Sequence, residues 1–113
     1  MDIFYSDSIG RADVPGDAAA QASLDETLAV FRGLDRRVGF MGINLDERYV
    51  VQLAPQGPGR TRVELLDTSG PELIACTADA GFAEELIRAA AEGRDVFQIA
   101  RSSPHEWEYS DLG

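Results

Sequence analysis

Apolar and polar positions along the chain follow two periods. "MDIFYS", residues 1–6, alternates and is aromatic, which predicts a short strand. Residues 7–21 carry Gly10, Pro15 and Gly16 with no period, so 6–22 is expected to form a long or mobile loop. At Ser23 the period becomes 3.6. Leu24, Leu28, Phe31 and Leu34 make one apolar stripe, and Ser23 with Glu26 forms a capping box at its start. Gly33 ends this helix.

From Val38 the period returns to two. "VGFMGIN" predicts a strand in which Gly39 and Gly42 mark a bulge or a close backbone approach. "RYVVQLA" sets Tyr49, Val51 and Leu53 on one face, and "RTRVELLD" sets Thr61, Val63 and Leu65 inward. With "ELIACT", and with turns at "NLDE", "PQGPG" and "TSGP", these strands form an antiparallel meander. Asp79 then caps a helix with the stripe Phe82, Leu86, Ala89 and Ala90, an i,i+4 pair Glu84–Arg88 and a stop at Gly93. "RDVFQIARS" fits a strand or a short helix capped by Asp95, and the helix is preferred. "HEWEYS" alternates again, with His105, Trp107 and Tyr109 on one side and Glu106, Glu108 and Ser110 on the other. It predicts a closing strand. Residues 1–113 therefore read as a single α+β domain, an antiparallel sheet of about five to six strands with two helices packed on one face.

Charge changes this picture more than composition does. Twenty acids face ten bases, a net charge of −10, and every base is an arginine. The acids concentrate at the two ends: residues 1–35 hold seven acids against two arginines, and 71–113 hold nine against three. The middle, 36–70, is near balance, with four acids and five arginines. Such a surface repels phosphate backbones, so nucleic acid and anionic membrane are poor partners, and a basic protein is the natural one. Solubility alone is the competing explanation. "MDIFYSDS" lacks the basic start and apolar stretch of a signal peptide, and no apolar run approaches a membrane span, so the expected compartment is the cytoplasm.

Reactive chemistry finds little support. One cysteine, Cys76, excludes an internal disulfide, and in "LIACT" it reads as a buried small hydrophobe. One histidine and one cysteine cannot make a His- or Cys-based metal site, and no calcium loop occurs, so neither metal nor cofactor is expected. A serine triad would need His105, whose neighbour Glu106 points to the other face, and no Gly-x-Ser-x-Gly elbow exists. "QGPGRTR" resembles a phosphate cradle only superficially, because Pro58 lacks an N–H and no helix follows. Arg60 and Arg62 are left as residues able to bind an acidic group.

What remains is surface. Glu84, Glu85 and Glu92 on the second helix and Glu106, Glu108 and Asp111 in the tail could share one anionic patch. Trp107 is read first as a core residue and second as an interface anchor beside these acids.

The order of elements, with "LIRAAAEGRDV" at 86–96 (Leu86, Gly93, Arg94) and Trp107, resembles the small acidic bacterial immunity proteins of polymorphic toxin systems. That resemblance implies a non-enzymatic inhibitor that occludes a basic toxin domain. Bulk properties are also similar to the small acidic dimeric chaperones of type III secretion, which implies a homodimer holding an effector segment. A small hydrolase-like enzyme using His105 ranks third.

Overall fold

The computed structural model describes residues 1–6, 20–46, 48–69 and 72–111. Among the described residues, seven strands form one antiparallel sheet: β1 (Asp2–Ser6), β2 (Ala20–Gln21), β3 (Phe40–Asn44), β4 (Tyr49–Pro55), β5 (Arg60–Asp67), β6 (Glu72–Asp79) and β7 (Glu108–Asp111). Their order across the sheet is β2-β1-β3-β4-β5-β6-β7. The described residues also form three helices, α1 (Leu24–Gly33), α2 (Ala80–Ala91) and α3 (Val96–Arg101). The α+β arrangement with a central meander is as the periodicity predicts. The strand count rises only through the two-residue β2, and the ambiguous segment at 96–101 is helical.

Helix α1 begins where its capping box requires. Ser23 Oγ accepts from Glu26 N–H at 3.1 Å, and Glu26 Oε1 accepts from Ser23 N–H at 3.2 Å. The reciprocal bonds hold the Glu26 carboxyl below its ordinary value. Leu28, Phe31 and Leu34 are buried as the stripe predicts. Helix α2 buries a wider stripe, adding Ala83 and Ile87, because it lies on the sheet against β5 and β6 and also packs on α1 and α3.

The core is the single face of the sheet beneath these helices. Across five strands the register aligns Ile3, Ile43, Val51, Leu65 and Ile74, and a second row aligns Met41, Leu53, Val63 and Cys76. All of them except half-buried Ile74 are at most 3% exposed, so the alternation from Tyr49 through Leu65 is read correctly. Burial pushes the Cys76 thiol up to about 11 and keeps it protonated at neutral pH.

The opposite face carries no helix among the described residues. Phe4, Gly42, Gln52, Glu64, Ala75 and Glu108 form one row across it. The tip of the Phe4 ring lies over Gly42, its cross-strand partner, and a Cβ on Gly42 would stand 2.0 Å from that ring. This is the close approach suggested by the glycine.

Two expectations change. Of the predicted loop 6–22, Ser6 belongs to β1 and Ala20–Gln21 form β2, paired with Ile3 and Asp2. That pairing is made through backbone, so no side-chain period announces it, although Gln21 Nε2–H also donates to Asp2 Oδ1. Residues 7–19 lie outside the described residues. The predicted strand over "HEWEYS" is shorter, running from Glu108 to Asp111, and the chain bends at residues 103–105 before it. A turn closed from Trp107 onto Ser103 takes the place of the first part of that strand.

An ion pair ties the ends of β4 and β5. Arg48 Nε–H and Nη2–H donate to Asp67 at 2.9 and 2.8 Å, which together with Ser69 holds the Asp67 carboxyl well below the usual carboxylate range. A carboxyl depressed in the folded state stabilises the fold fully above its unfolded value, near 4, and loses that contribution as pH falls through the folded value. Urea unfolding in steps below pH 4 should therefore show a steeper loss of stability for the wild type than for Asp67→Asn. Coincident slopes would show that this exposed pair contributes nothing.

Candidate functional site

A broad, open concavity lies between α2, α3 and the bend that follows α3, with a volume of about 820 Å³. Its walls follow from local rules. Asp79 caps α2, its Oδ1 accepting from Phe82 N–H at 2.8 Å, and the next residues of that helix face are Phe82 and Glu85, at three-residue spacing. Helix α2 ends in a left-handed Gly93 (φ 72°). Gly93 N–H donates to Ala90 O and Arg94 N–H to Ala89 O, the paired bonds of a Schellman turn. The chain folds back, Asp95 caps α3 by accepting from Gln98 N–H at 3.0 Å, and Gln98 and Ile99 form the second wall.

The bend supplies the third wall. Ser103 Oγ–H donates to Ala100 O at 2.7 Å and accepts from Trp107 Nε1–H at 3.1 Å. One hydroxyl thus joins the end of α3 to the tail. His105 lies 4.3 Å, ring to ring, from Phe82, and Trp107 meets the same ring edge-on at 6.4 Å. His105 and Trp107 therefore share a side, as the alternation predicts, but they rest on a helix and not in a strand.

Electrostatically the cleft is acidic. Asp79, Glu85 and Asp95 line it, and its one lining base, Arg94, is paired with Glu92 at 2.9 Å. Glu85 is exposed and has no ion-pair partner among the described residues. His105 Nδ1 is buried without a hydrogen-bond partner, and neither Ser103 nor a carboxylate bonds to the imidazole among the described residues. No group of three or more His, Cys, Asp or Glu among the described residues is placed to hold a metal ion. An apolar floor under separated carboxylates suits an elongated cationic group: its stem lies on the rings and its head meets the acids.

The residues expected to bind a partner separate into groups. Glu85 lines the cleft, and exposed Glu106 adjoins His105 beside it. Glu92 is exposed at the C-terminal end of α2, where it holds Arg94. Glu108 stands on the helix-free face of the sheet, in register with Ala75. Glu84 serves the fold: Arg32 clamps it with two bonds of 2.7 and 3.3 Å, Arg88 adds a contact at 3.6 Å, and its carboxyl is held below the ordinary value, chiefly by the Arg32 bonds. That clamp links α1 to α2. Trp107 is half-buried and packs against the core. Asp111 pairs with Glu72 through backbone in β7, and its side chain lies outside the described residues.

Asp79, Asp95, Phe82 and His105 were legible in the sequence only as caps, stripe and strand. The signal for a cleft was nevertheless present: two aspartate caps bracket a helix that ends in glycine, which is the pattern of a helical hairpin with a groove between its arms. No helix among the described residues is long and apolar enough to cross a membrane. No protein-family model matches the chain, and neither a curated protein nor a solved structure matches it.

Proposed function

We propose that the chain is a non-enzymatic, acidic protein-binding module, an immunity-type inhibitor that occludes a basic toxin domain. The observation that carries this reading is the α2–α3 cleft, where Asp79, Glu85 and Asp95 surround Phe82 and Ile99 while the lining arginine is tied to Glu92. A basic partner would insert an arginine or lysine there, its stem on the apolar floor and its head between carboxylates. A side chain buried in this way is the kind of anchor that dominates an interface. Glu106 and Glu108 extend the negative field beyond the cleft, which raises the rate of encounter with a positive surface. Net charge supports the same partner class, since −10 on 113 residues disfavours polyanions.

Charge reversal tests this reading. The triple variant Glu85→Arg, Glu106→Arg, Glu108→Arg changes only exposed positions, so its unfolding free energy should stay within about 0.5 kcal/mol of the wild type per site. Immobilised wild-type protein should retain a basic protein from extract of its own cells at low ionic strength and release it as salt rises. The variant should bind that protein at least tenfold more weakly. Equal retention by the two proteins, or binding indifferent to salt up to physiological strength, would sink the proposal.

A further inference from the structure

Arginines carry a second site on the other flank of α2. A cavity of about 140 Å³ opens between the end of α1, the β4–β5 turn and the first turn of α2. Three of the ten arginines line it: Arg32, Arg36 and Arg60. The turn is drawn against the α1 end by Gly57 N–H donating to Arg36 O at 2.9 Å, which brings Arg36 and Arg60 to one opening. Both are exposed, and neither has a carboxylate within ion-pair distance among the described residues. Glu84 is the sole acid on the cavity wall, and it is already engaged by Arg32 and Arg88.

Arg36 and Arg60 thus share one cavity wall with no acid of their own. Arg37 and Arg101 also lack an ion pair among the described residues, but neither lines this cavity, whereas Arg36 and Arg60 both do. We propose that this cavity is a binding site for a single oxyanion group of phosphate or carboxylate type, held by Arg36 and Arg60. Guanidinium forks match the paired oxygens of such groups. Ala80, the first residue of α2, forms part of the wall, next to the Asp79 cap. A volume of 140 Å³ admits one such group with a few waters, each of which occupies roughly 30 Å³ in the liquid. The net charge of the protein does not forbid this. At physiological ionic strength the field of remote acids decays over about 8 Å, so the local arginines decide.

Glycines complete the opening. Gly57 and Gly59 take positive φ values of 92° and 73°, and a Cβ built on either meets nothing within 4 Å, so the turn leaves the cavity mouth free of side chains. The turn read as a mere hairpin therefore presents Arg60 to a site, with Arg36 as its partner. Arg62 does not join it: it lies 3.9 Å from Glu64 on the helix-free face of the sheet.

This site shares no lining residue with the acidic cleft, although Asp79 of the cleft is the cross-strand partner of Arg60. Titrating the full chain with inorganic phosphate at constant ionic strength, read by amide NMR, should give saturable shifts confined to Arg36, Gly57, Gly59, Arg60 and Ala80. Arg36→Gln with Arg60→Gln should weaken that binding at least tenfold, while Arg37→Gln, exposed but outside the cavity, should leave it unchanged. Acetate as a second probe distinguishes the sources: saturation by phosphate alone assigns a phosphoryl group, and saturation by both admits a carboxylate. Saturation by neither probe, or equal saturation in the Arg36/Arg60 variant, overturns the site. Since both arginines are exposed, an unchanged unfolding midpoint shows that a loss of binding is not a loss of fold.

Discussion

Phe82→Ala should lower the unfolding free energy by about 3–5 kcal/mol, the range for removing a buried aromatic ring. Phe82 is 9% exposed, at the first turn of α2, and two other rings rest on it. His105 lies 4.3 Å away and Trp107 6.4 Å away, so one substitution both opens a cavity and removes the surface on which the tail lies. The backbone bond from residue 82 to Asp79 survives the change, so the helix start stays intact and the loss is one of packing. Urea unfolding followed by circular dichroism gives the magnitude. Tryptophan emission gives the location, because Trp107 is the one tryptophan and should shift to longer wavelength in the folded variant. A loss below about 1 kcal/mol with unchanged emission would mean that the tail is held by something other than this ring.

Gly42→Ala is expected to cost about 1–3 kcal/mol, for the opposite reason: added volume where none is free. Its Cβ would stand 2.0–2.5 Å from three atoms of the Phe4 ring, which must then leave the sheet face. Phe4 is 9% exposed on a face that carries no helix among the described residues, and glycine provides the space that this ring occupies. The pair should be strongly coupled. In a Phe4→Ala background the clash is gone, and alanine should then stabilise the strand by about 0.5–1 kcal/mol over glycine. A double-mutant cycle measures this directly. Additive effects would refute the seating of Phe4 on Gly42.

How legible this fold is depends on which interactions carry each element. The strand faces from Tyr49 to Leu65 are readable because burial on one side of a sheet imposes strict alternation. Both long helices are readable because their caps, Ser23 and Asp79, are chemical signals local to the chain. Strand β2 is not readable, since it joins the sheet by backbone pairing to Asp2 and Ile3. The burial of Ala83 and Ile87 also escapes the heptad stripe, because it depends on where α2 sits over the sheet and not on the helix itself. For the candidate cleft the acids were visible as acids but not their grouping. Glu84 and Glu85 are adjacent in sequence, yet one is locked by Arg32 and the other faces the cleft. Neighbours on a helix differ by about 100° in direction, so only the tertiary packing says which of two glutamates is free.

Sheet order also sets an order of assembly. β3 to β6 are joined through residues 45–48, 56–59 and 68–71, so each pairing closes a short loop. β1 instead pairs with β3 across residues 7–39, with α1 in between. Closing that longer loop costs more chain entropy, although only logarithmically so. The meander with α2 laid on it can therefore nucleate first, and the N-terminal strand then completes a sheet that already exists.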